Sequence, residues 1–123
     1  MMKTNKIKVS VFYPNTEGKK FDMDYYLNKH AALVSKTLGS ALIDSSYDKG
    51  LGGGAPGAPA PFVAIANLYF NSMDEFGASF GPSVPVFMAD MPNYTDIEPV
   101  VQVSAVAGWY KRTSQNEPTP SNN

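Results

Sequence analysis

At 123 residues, the chain has the length of one domain that can bury a real core. Ten Lys and Arg against 11 Asp and Glu give a formal net charge of −1, so there is no basic field for nucleic acid. The absence of cysteine excludes disulfides, thiolate nucleophiles, iron–sulfur clusters and cysteine-bound zinc. With no apolar run near the roughly 20 residues of a membrane span, and no apolar core of a secretion signal, we expect a cytoplasmic protein without a membrane partner.

The first predicted elements are a strand and an amphipathic helix. Residues 7–13 alternate in character and run into a turn signal, which predicts a strand. Residues 21–38 (FDMDYYLNKHAALVSKTL) have helical spacing, with Asp22 suited to the N-cap and Gly39 to the left-handed residue that closes the helix. His30, the only histidine, lies on the apolar face of this helix and therefore points to the expected core.

Two further strands flank a loop rich in glycine and proline. Residues 41–48 give a weak strand pattern. Residues 62–70 (FVAIANLYF) are apolar at both parities, which predicts a central strand covered on both faces. Between them, residues 50–61 hold too much glycine and proline for a helix or a strand, so we expect a flexible hairpin connection.

A second helix and a fourth strand complete the order. Ser72 opens a capping-box pattern and predicts the helix start. Gly81 and Pro82 predict a break in that helix. Residues 99–109 predict the fourth strand, and the polar, proline-bearing residues 111–123 predict a disordered tail.

This order predicts an α+β fold, the ferredoxin-like βαββαβ unit with a four-stranded antiparallel sheet, as one domain over residues 1–110. Two helices cover one face of such a sheet. The other face is expected to carry Phe or Leu side chains of the third strand and valines of the fourth: Val100 and Val106, or Val101 and Val103. Leaving these side chains in contact with water would cost on the order of several kcal/mol, at about 25 cal/mol per Å² of apolar surface.

We therefore predict a homodimer whose sheets face each other. In the alternative, polar side chains make the free face merely mixed: Ser10, Asn67, Gln102 and Ser104.

His30 is the first candidate for chemistry. We interpret it as a proton shuttle in a pocket between helix and sheet. The alternative is a core histidine whose ring nitrogens are satisfied by backbone or hydroxyl groups. One histidine cannot build a multi-histidine metal site, so we expect no metal and no cofactor, although a single axial haem ligand is a third option.

Residues 90–96 (DMPNYTD) are the second candidate. They fit a helix terminus that runs into a turn, and they also fit a pocket rim whose polar groups orient His30 or a bound oxygen. On the second interpretation, we predict six site residues. The catalytic residues are His30, Asp90 and Tyr94, and the substrate-binding residues are Tyr26, Asn93 and Asp96.

Two motif matches are rejected. Residues 52–57 (GGGAPG) fit the dinucleotide fingerprint, but the prolines around them prevent the helix that this motif must open. Residues 77–81 (GASFG) fit the hydrolase elbow, but they lie within the second helical pattern. Neither nucleotide binding nor hydrolase chemistry is expected.

Four blocks of the chain resemble the EthD-like family of the dimeric α+β barrel superfamily, named after a component of ethyl tert-butyl ether degradation. They are residues 9–15 (VSVFYPN), 21–30 (FDMDYYLNKH), 61–70 (PFVAIANLYF) and 89–104 (ADMPNYTDIEPVVQVS). The resemblance covers about residues 7–107, nearly the whole expected folded part.

This resemblance implies the ferredoxin-like protomer, paired sheets and a cavity enclosed by sheet and helices. It groups the protein with oxidoreductases, as an accessory of a cytochrome-type monooxygenase system, without establishing a catalytic role. Wider relatives include cofactor-free monooxygenases, lactone isomerases, cyclases, decarboxylases and haem-binding enzymes.

Our leading hypothesis is a homodimer that binds a small hydrophobic organic molecule in a degradative oxidoreductase or monooxygenase pathway. Its chemistry would be proton transfer or oxygenation without a cofactor, with His30 as the proton carrier. The competing hypotheses are a non-catalytic ligand-binding or accessory module for an oxygenase, and an enzyme like the lactone isomerases or cyclases.

Overall fold

Four strands and two helices follow one another along the chain in the predicted order βαββαβ. The structure, a computed structural model, describes residues 6–112. The strands are β1 (Ile7–Pro14), β2 (Asp44–Lys49), β3 (Phe62–Phe70) and β4 (Val100–Ala105). Helix α1 spans residues 23–38 and helix α2 spans Met73–Asp90. The α+β, ferredoxin-like prediction is therefore confirmed, while the predicted tail lies, but for its first two residues, outside the described residues.

The four strands form one antiparallel sheet in the order β2-β3-β1-β4. As predicted, the apolar strand β3 is central. Strand β4 is shorter than predicted because its ladder on β1 ends at the pair Ile7 and Ala105. Neither helix in the described part of the chain has the length and apolar character needed to cross a bilayer.

The two faces of the sheet differ in polarity. Val9 and its partner Leu68 face the helices and belong to the buried core, whereas Phe12, Ile65 and Val100 share the open face by their pairing. Phe62 joins the open face, where its ring lies 5.1 Å from that of Phe12.

Polar side chains separate these apolar groups on the open face: Lys8, Ser10, Ser46, Asn67, Gln102 and Ser104. The open face therefore carries both apolar and polar side chains.

Helix α1 begins as predicted. The Asp22 carboxylate accepts a hydrogen bond from the Tyr25 N–H at 3.1 Å, and the rings of Phe21 and Tyr26 lie 4.9 Å apart. After Met23–Tyr25, the helix passes through a π-helical turn over Tyr26–His30 and returns to α geometry at Ala31–Leu38. A π turn inserts one residue without ending the helix, and such turns recur at functional sites.

Helix α2 does not break at Gly81 and Pro82, so that prediction is wrong. Both Pro82 and Pro85 lie inside the continuous helix, with their rings on the solvent side. On the opposite side, Phe80 and Phe87 pack into the core under β1 and β3. We attribute the continuity to this burial, which offsets the roughly 3 kcal/mol that an interior proline costs a helix.

Candidate functional site

A cavity of about 530 Å³ lies between the two helices and the helix-facing side of the sheet. This volume is typical of pockets for small organic molecules. Both helices and all four strands line it, and most of the lining side chains are apolar, among them Val11, Val34, Leu68, Phe80, Phe87 and Val101. The exposed residues Met88, Glu98 and Val101 place its mouth beside strand β4, where the helices leave the sheet uncovered.

His30 lies at the end of the π turn and lines this cavity. It is 5% exposed, and its ring packs against those of Tyr94 and Tyr26 at centroid distances of 4.5 and 6.1 Å. Its Nδ1 lies 2.9 Å from Asp90 Oδ2 at the end of helix α2. Two of the three predicted catalytic residues, His30 and Asp90, are thus in direct contact between the two helices.

Asp90 is the centre of a hydrogen-bond network. The Tyr25 hydroxyl donates to Asp90 Oδ1 at 2.7 Å, and Asn93 Nδ2 donates to the same oxygen at 3.0 Å. Burial alone would raise the pKa of Asp90, but the hydrogen bonds from Tyr25, His30 and Asn93 outweigh it and lower that pKa below its ordinary value. Asp90 is therefore an ionised acceptor at neutral pH.

The ionised carboxylate fixes which nitrogen of His30 carries the proton. A carboxylate can only accept, so the Nδ1–H donates to Asp90 and Nε2 holds the lone pair of the neutral ring. Within residues 6–112, Nε2 has no hydrogen-bond partner. It is not one of the fully buried polar atoms, so it keeps some contact with solvent. Nε2 is therefore the nitrogen of this ring that can accept a hydrogen bond from another group.

Tyr94, the third predicted catalytic residue, is fully buried and is not among the described residues that line the cavity. Its hydroxyl lies 2.8 Å from the Tyr13 hydroxyl. Burial, followed by the neighbouring Tyr13, raises the pKa of Tyr94 far above its ordinary value, and burial likewise raises the pKa of Tyr13. The geometry supports the role of a ring that packs on His30.

The predicted substrate-binding residues separate in the structure. Tyr26 and Asp96 line the cavity, whereas Asn93 lies outside it and contacts Asp90. The Asp96 carboxylate accepts a hydrogen bond from the Lys20 N–H at 2.9 Å, and this bond is the main reason why the pKa of Asp96 is lowered. Asp96 therefore stands at the rim as a stabilised negative charge.

Two tyrosine hydroxyls at the cavity lack partners. Tyr26 OH and Tyr47 OH are sealed from solvent, and neither has a hydrogen-bond partner in the described part of the chain. Burial is the main cause that raises both pKa values. For Tyr47, the nearby Ser45 side chain partly offsets that rise without reaching hydrogen-bond geometry. Each buried hydroxyl without a hydrogen-bond partner lowers the free energy of unfolding, and such groups are rare in native proteins.

Sequence reasoning missed Tyr25, Tyr47 and Glu98. Tyr25 precedes His30 by five residues, a spacing that an α-helix places on different faces and a π turn brings to one face. The 3.6-residue period used to assign the helix face could therefore not reveal it. Tyr47 lies on a strand that gave only a weak pattern, and Glu98 carries no motif.

No cluster of three or more His, Asp or Glu side chains suited to a metal ion occurs within residues 6–112.

Comparisons with known proteins agree on one family. The model of the EthD domain matches residues 16–98. The crystal structure of an EthD-like protein from Ralstonia eutropha JMP134 is similar, with 42% identity and a TM-score of 0.80 over 86% of this chain and 96% of that one.

An EthD family protein from Bacillus halodurans C-125 shares the fold at 17% identity, with a TM-score of 0.54 over 79% of this chain and 96% of that one. A comparison with curated protein sequences gives no significant match.

Proposed function

Because the chain belongs to the EthD family, we propose that it binds a small hydrophobic organic molecule in the cavity and that His30 moves a proton to or from it. The observation that carries this proposal is the contact of His30 Nδ1 with Asp90 Oδ2 at 2.9 Å beside an apolar cavity. An oriented imidazole with a free Nε2 is the usual form of a general base.

Asp90 has two effects in this proposal. It holds the ring in the tautomer that presents Nε2 to the cavity, and its charge stabilises the imidazolium that forms when His30 takes a proton. When a ligand gives the proton of an acidic C–H or O–H bond to His30, the electron pair of that bond stays on the carbon or oxygen, and the ligand becomes an anion. By family resemblance, we assign this step to a degradative oxidoreductase or monooxygenase pathway in the cytoplasm.

A cavity-filling variant tests the binding part of the proposal. Val84 on helix α2 lines the cavity, whereas Val86 on the same helix is 42% exposed and lies away from it. Val84→Trp should abolish the binding of naphthalene, followed by fluorescence, and Val86→Trp should leave it unchanged. Equal binding by both variants would show that the cavity is not the binding site.

The catalytic part is tested with the molecule that copurifies with the protein, identified by native mass spectrometry. Turnover of that molecule should fall by about 10²-fold or more in His30→Ala, with a melting temperature close to that of the wild type. It should also fall in Asp90→Asn, which in addition loses the stability that the Asp90 carboxylate provides. If turnover and melting temperature fall together in His30→Ala, His30 is a structural histidine and the protein is a binding or accessory module.

The proposal includes a homodimer formed through the open face of the sheet. The apolar side chains of that face support the proposal. Phe12, Phe62 and Ile65 are only half-buried, and Val100 is 56% exposed. A second copy of the same face would cover them by an isologous contact.

A further inference from the structure

We infer that the cavity selects uncharged molecules that carry a hydroxyl group, such as phenols and enols, and rejects carboxylates. The inference names the ligand class of the proposed site, and so it rests on the proposed function. Two independent features support it: the direction of the hydrogen bond that His30 offers, and the signs of the charges at the cavity.

The hydrogen-bond direction follows from the contacts of the polar groups in the wall. The Tyr13 hydroxyl is bonded to Tyr94, and Thr95 Oγ1 donates to the Lys20 carbonyl at 2.6 Å and accepts from the Ile97 N–H at 3.0 Å. The unpartnered Tyr26 and Tyr47 hydroxyls are sealed from solvent, and the Asp96 and Glu98 carboxylates lie at the rim. His30 Nε2 therefore remains as the accessible acceptor of the inner wall. A ligand group that meets it must donate a hydrogen bond, as a phenol or enol hydroxyl does and an ether does not.

The charges disfavour anions. No Lys or Arg is among the described residues that line the cavity, whereas the Asp96 and Glu98 carboxylates lie at its rim. Lys19 and Lys20 lie close enough to Asp96 to offset part of its charge, but Glu98 forms no ion pair with another described residue.

The pair of His30 and Asp90 carries no net positive charge in either protonation state of the ring. A buried carboxylate would therefore lose its hydration without gaining a cationic partner.

Three naphthalene derivatives of nearly equal shape separate these effects: 2-naphthol, 2-methoxynaphthalene and 2-naphthoate. At pH 8, a phenol with an ordinary pKa of about 10 is uncharged, and a carboxylic acid with a pKa of about 4 is ionised. Fluorescence titration of the full chain should show 2-naphthol binding about tenfold more tightly than the ether, the value of one hydrogen bond. The carboxylate should bind at least about tenfold more weakly than the ether.

Variants assign each preference to its residue. His30→Phe keeps a ring but removes the acceptor, so the preference for 2-naphthol over the ether should disappear. Asp90→Asn keeps the imidazole but no longer fixes which ring nitrogen carries the proton, so it should reduce the same preference. This variant is the second test if His30→Phe does not fold. Glu98→Gln should improve the binding of 2-naphthoate relative to 2-naphthol by about fivefold, and Asp74→Asn, an exposed carboxylate away from the cavity, should not.

The outcomes distinguish the two proposals. If the ether binds as tightly as 2-naphthol, or the carboxylate binds most tightly, the ligand class is wrong while hydrophobic binding in the cavity stands. If none of the three compounds binds, the proposed function falls and this inference falls with it.

Discussion

At the scale of single residues, the site depends on how Asp90 is held. Its two oxygens face different partners, with Oδ2 on His30 and Oδ1 shared by Tyr25 and Asn93. Charge-assisted hydrogen bonds of this kind are about twice as strong as neutral ones. Asp90 therefore links the end of helix α2 to helix α1 as well as orienting the imidazole.

The first prediction concerns acid stability. Because the pKa of Asp90 is lower in the folded protein than in the unfolded chain, its contribution to stability is present above the unfolded pKa and is lost as the pH falls through the folded pKa. The unfolding free energy should therefore fall less steeply below about pH 5 in Asp90→Asn than in the wild type.

Urea denaturation at a series of pH values measures this slope. Asp24→Asn, at an exposed position of helix α1, is the control and should keep the slope of the wild type. Equal slopes for the wild type and Asp90→Asn would contradict the hydrogen-bond network around Asp90.

The second prediction compares two buried tyrosines. Tyr26→Phe removes a hydroxyl that has no partner in the described residues, so its unfolding free energy should be unchanged or higher by up to about 1 kcal/mol. Tyr94→Phe leaves the Tyr13 hydroxyl, in a side chain only 3% exposed, without its partner and should cost about 1–3 kcal/mol. Thermal or urea unfolding of both variants decides, and a larger loss in Tyr26→Phe would mean that its hydroxyl has a partner.

At the scale of elements, the sequence predicted the starts of both helices but not the continuity of helix α2 or the end of strand β4. Asp22 and Ser72 both cap their helices, because capping needs only a local acceptor at a fixed distance along the chain. The continuity of helix α2 depends on Phe80 and Phe87 meeting the sheet, a contact that no local pattern contains. The end of β4 likewise depends on where β1 ends.

The geometry of the candidate site could likewise be predicted only in part. The apolar stripe of helix α1 was enough to place His30 at the cavity, and the rim segment was enough to suggest Asp90 as its partner. Tyr25 could not be predicted because its position follows from the π turn, which has no established sequence signal.

The third prediction concerns the prolines of helix α2. Pro85 has no N–H to donate to the Gly81 carbonyl, and its side chain is exposed. Pro85→Ala should therefore raise the unfolding free energy by about 1–2 kcal/mol after the loss of chain stiffness in the unfolded state. Gly81→Ala, whose added methyl group meets nothing within 4 Å, is the matched control and should gain only about 0.5–1 kcal/mol. A loss of stability in Pro85→Ala would mean that the proline shapes the helix for the core.

At the scale of the whole molecule, one side of the sheet is covered by helices and the other is left open. The helix-covered side encloses the cavity, and the open side mixes apolar and polar groups. Ligand binding and self-association are thus expected on opposite faces of the same four strands.

The fourth prediction tests self-association. Sedimentation velocity at micromolar concentration should give a homodimer, and Val100→Lys on the open face should shift it to the monomer. Val103→Lys is the control, because Val103 is similarly exposed, at 42%, but belongs to the helix-facing side. A wild-type monomer, or equal dissociation by both variants, would contradict the open-face dimer.

The π turn of helix α1 sets the spacing at which the two side chains that contact Asp90 occur in the sequence. Each residue of an α-helix turns by about 100°, so residues four apart share one face and residues five apart do not. The π turn holds one extra residue, such as the 44% exposed Leu27, and still presents the phenol of Tyr25 and the imidazole of His30 to one carboxylate. In homologues whose helix lacks this extra residue, the equivalent tyrosine should lie four residues before the histidine.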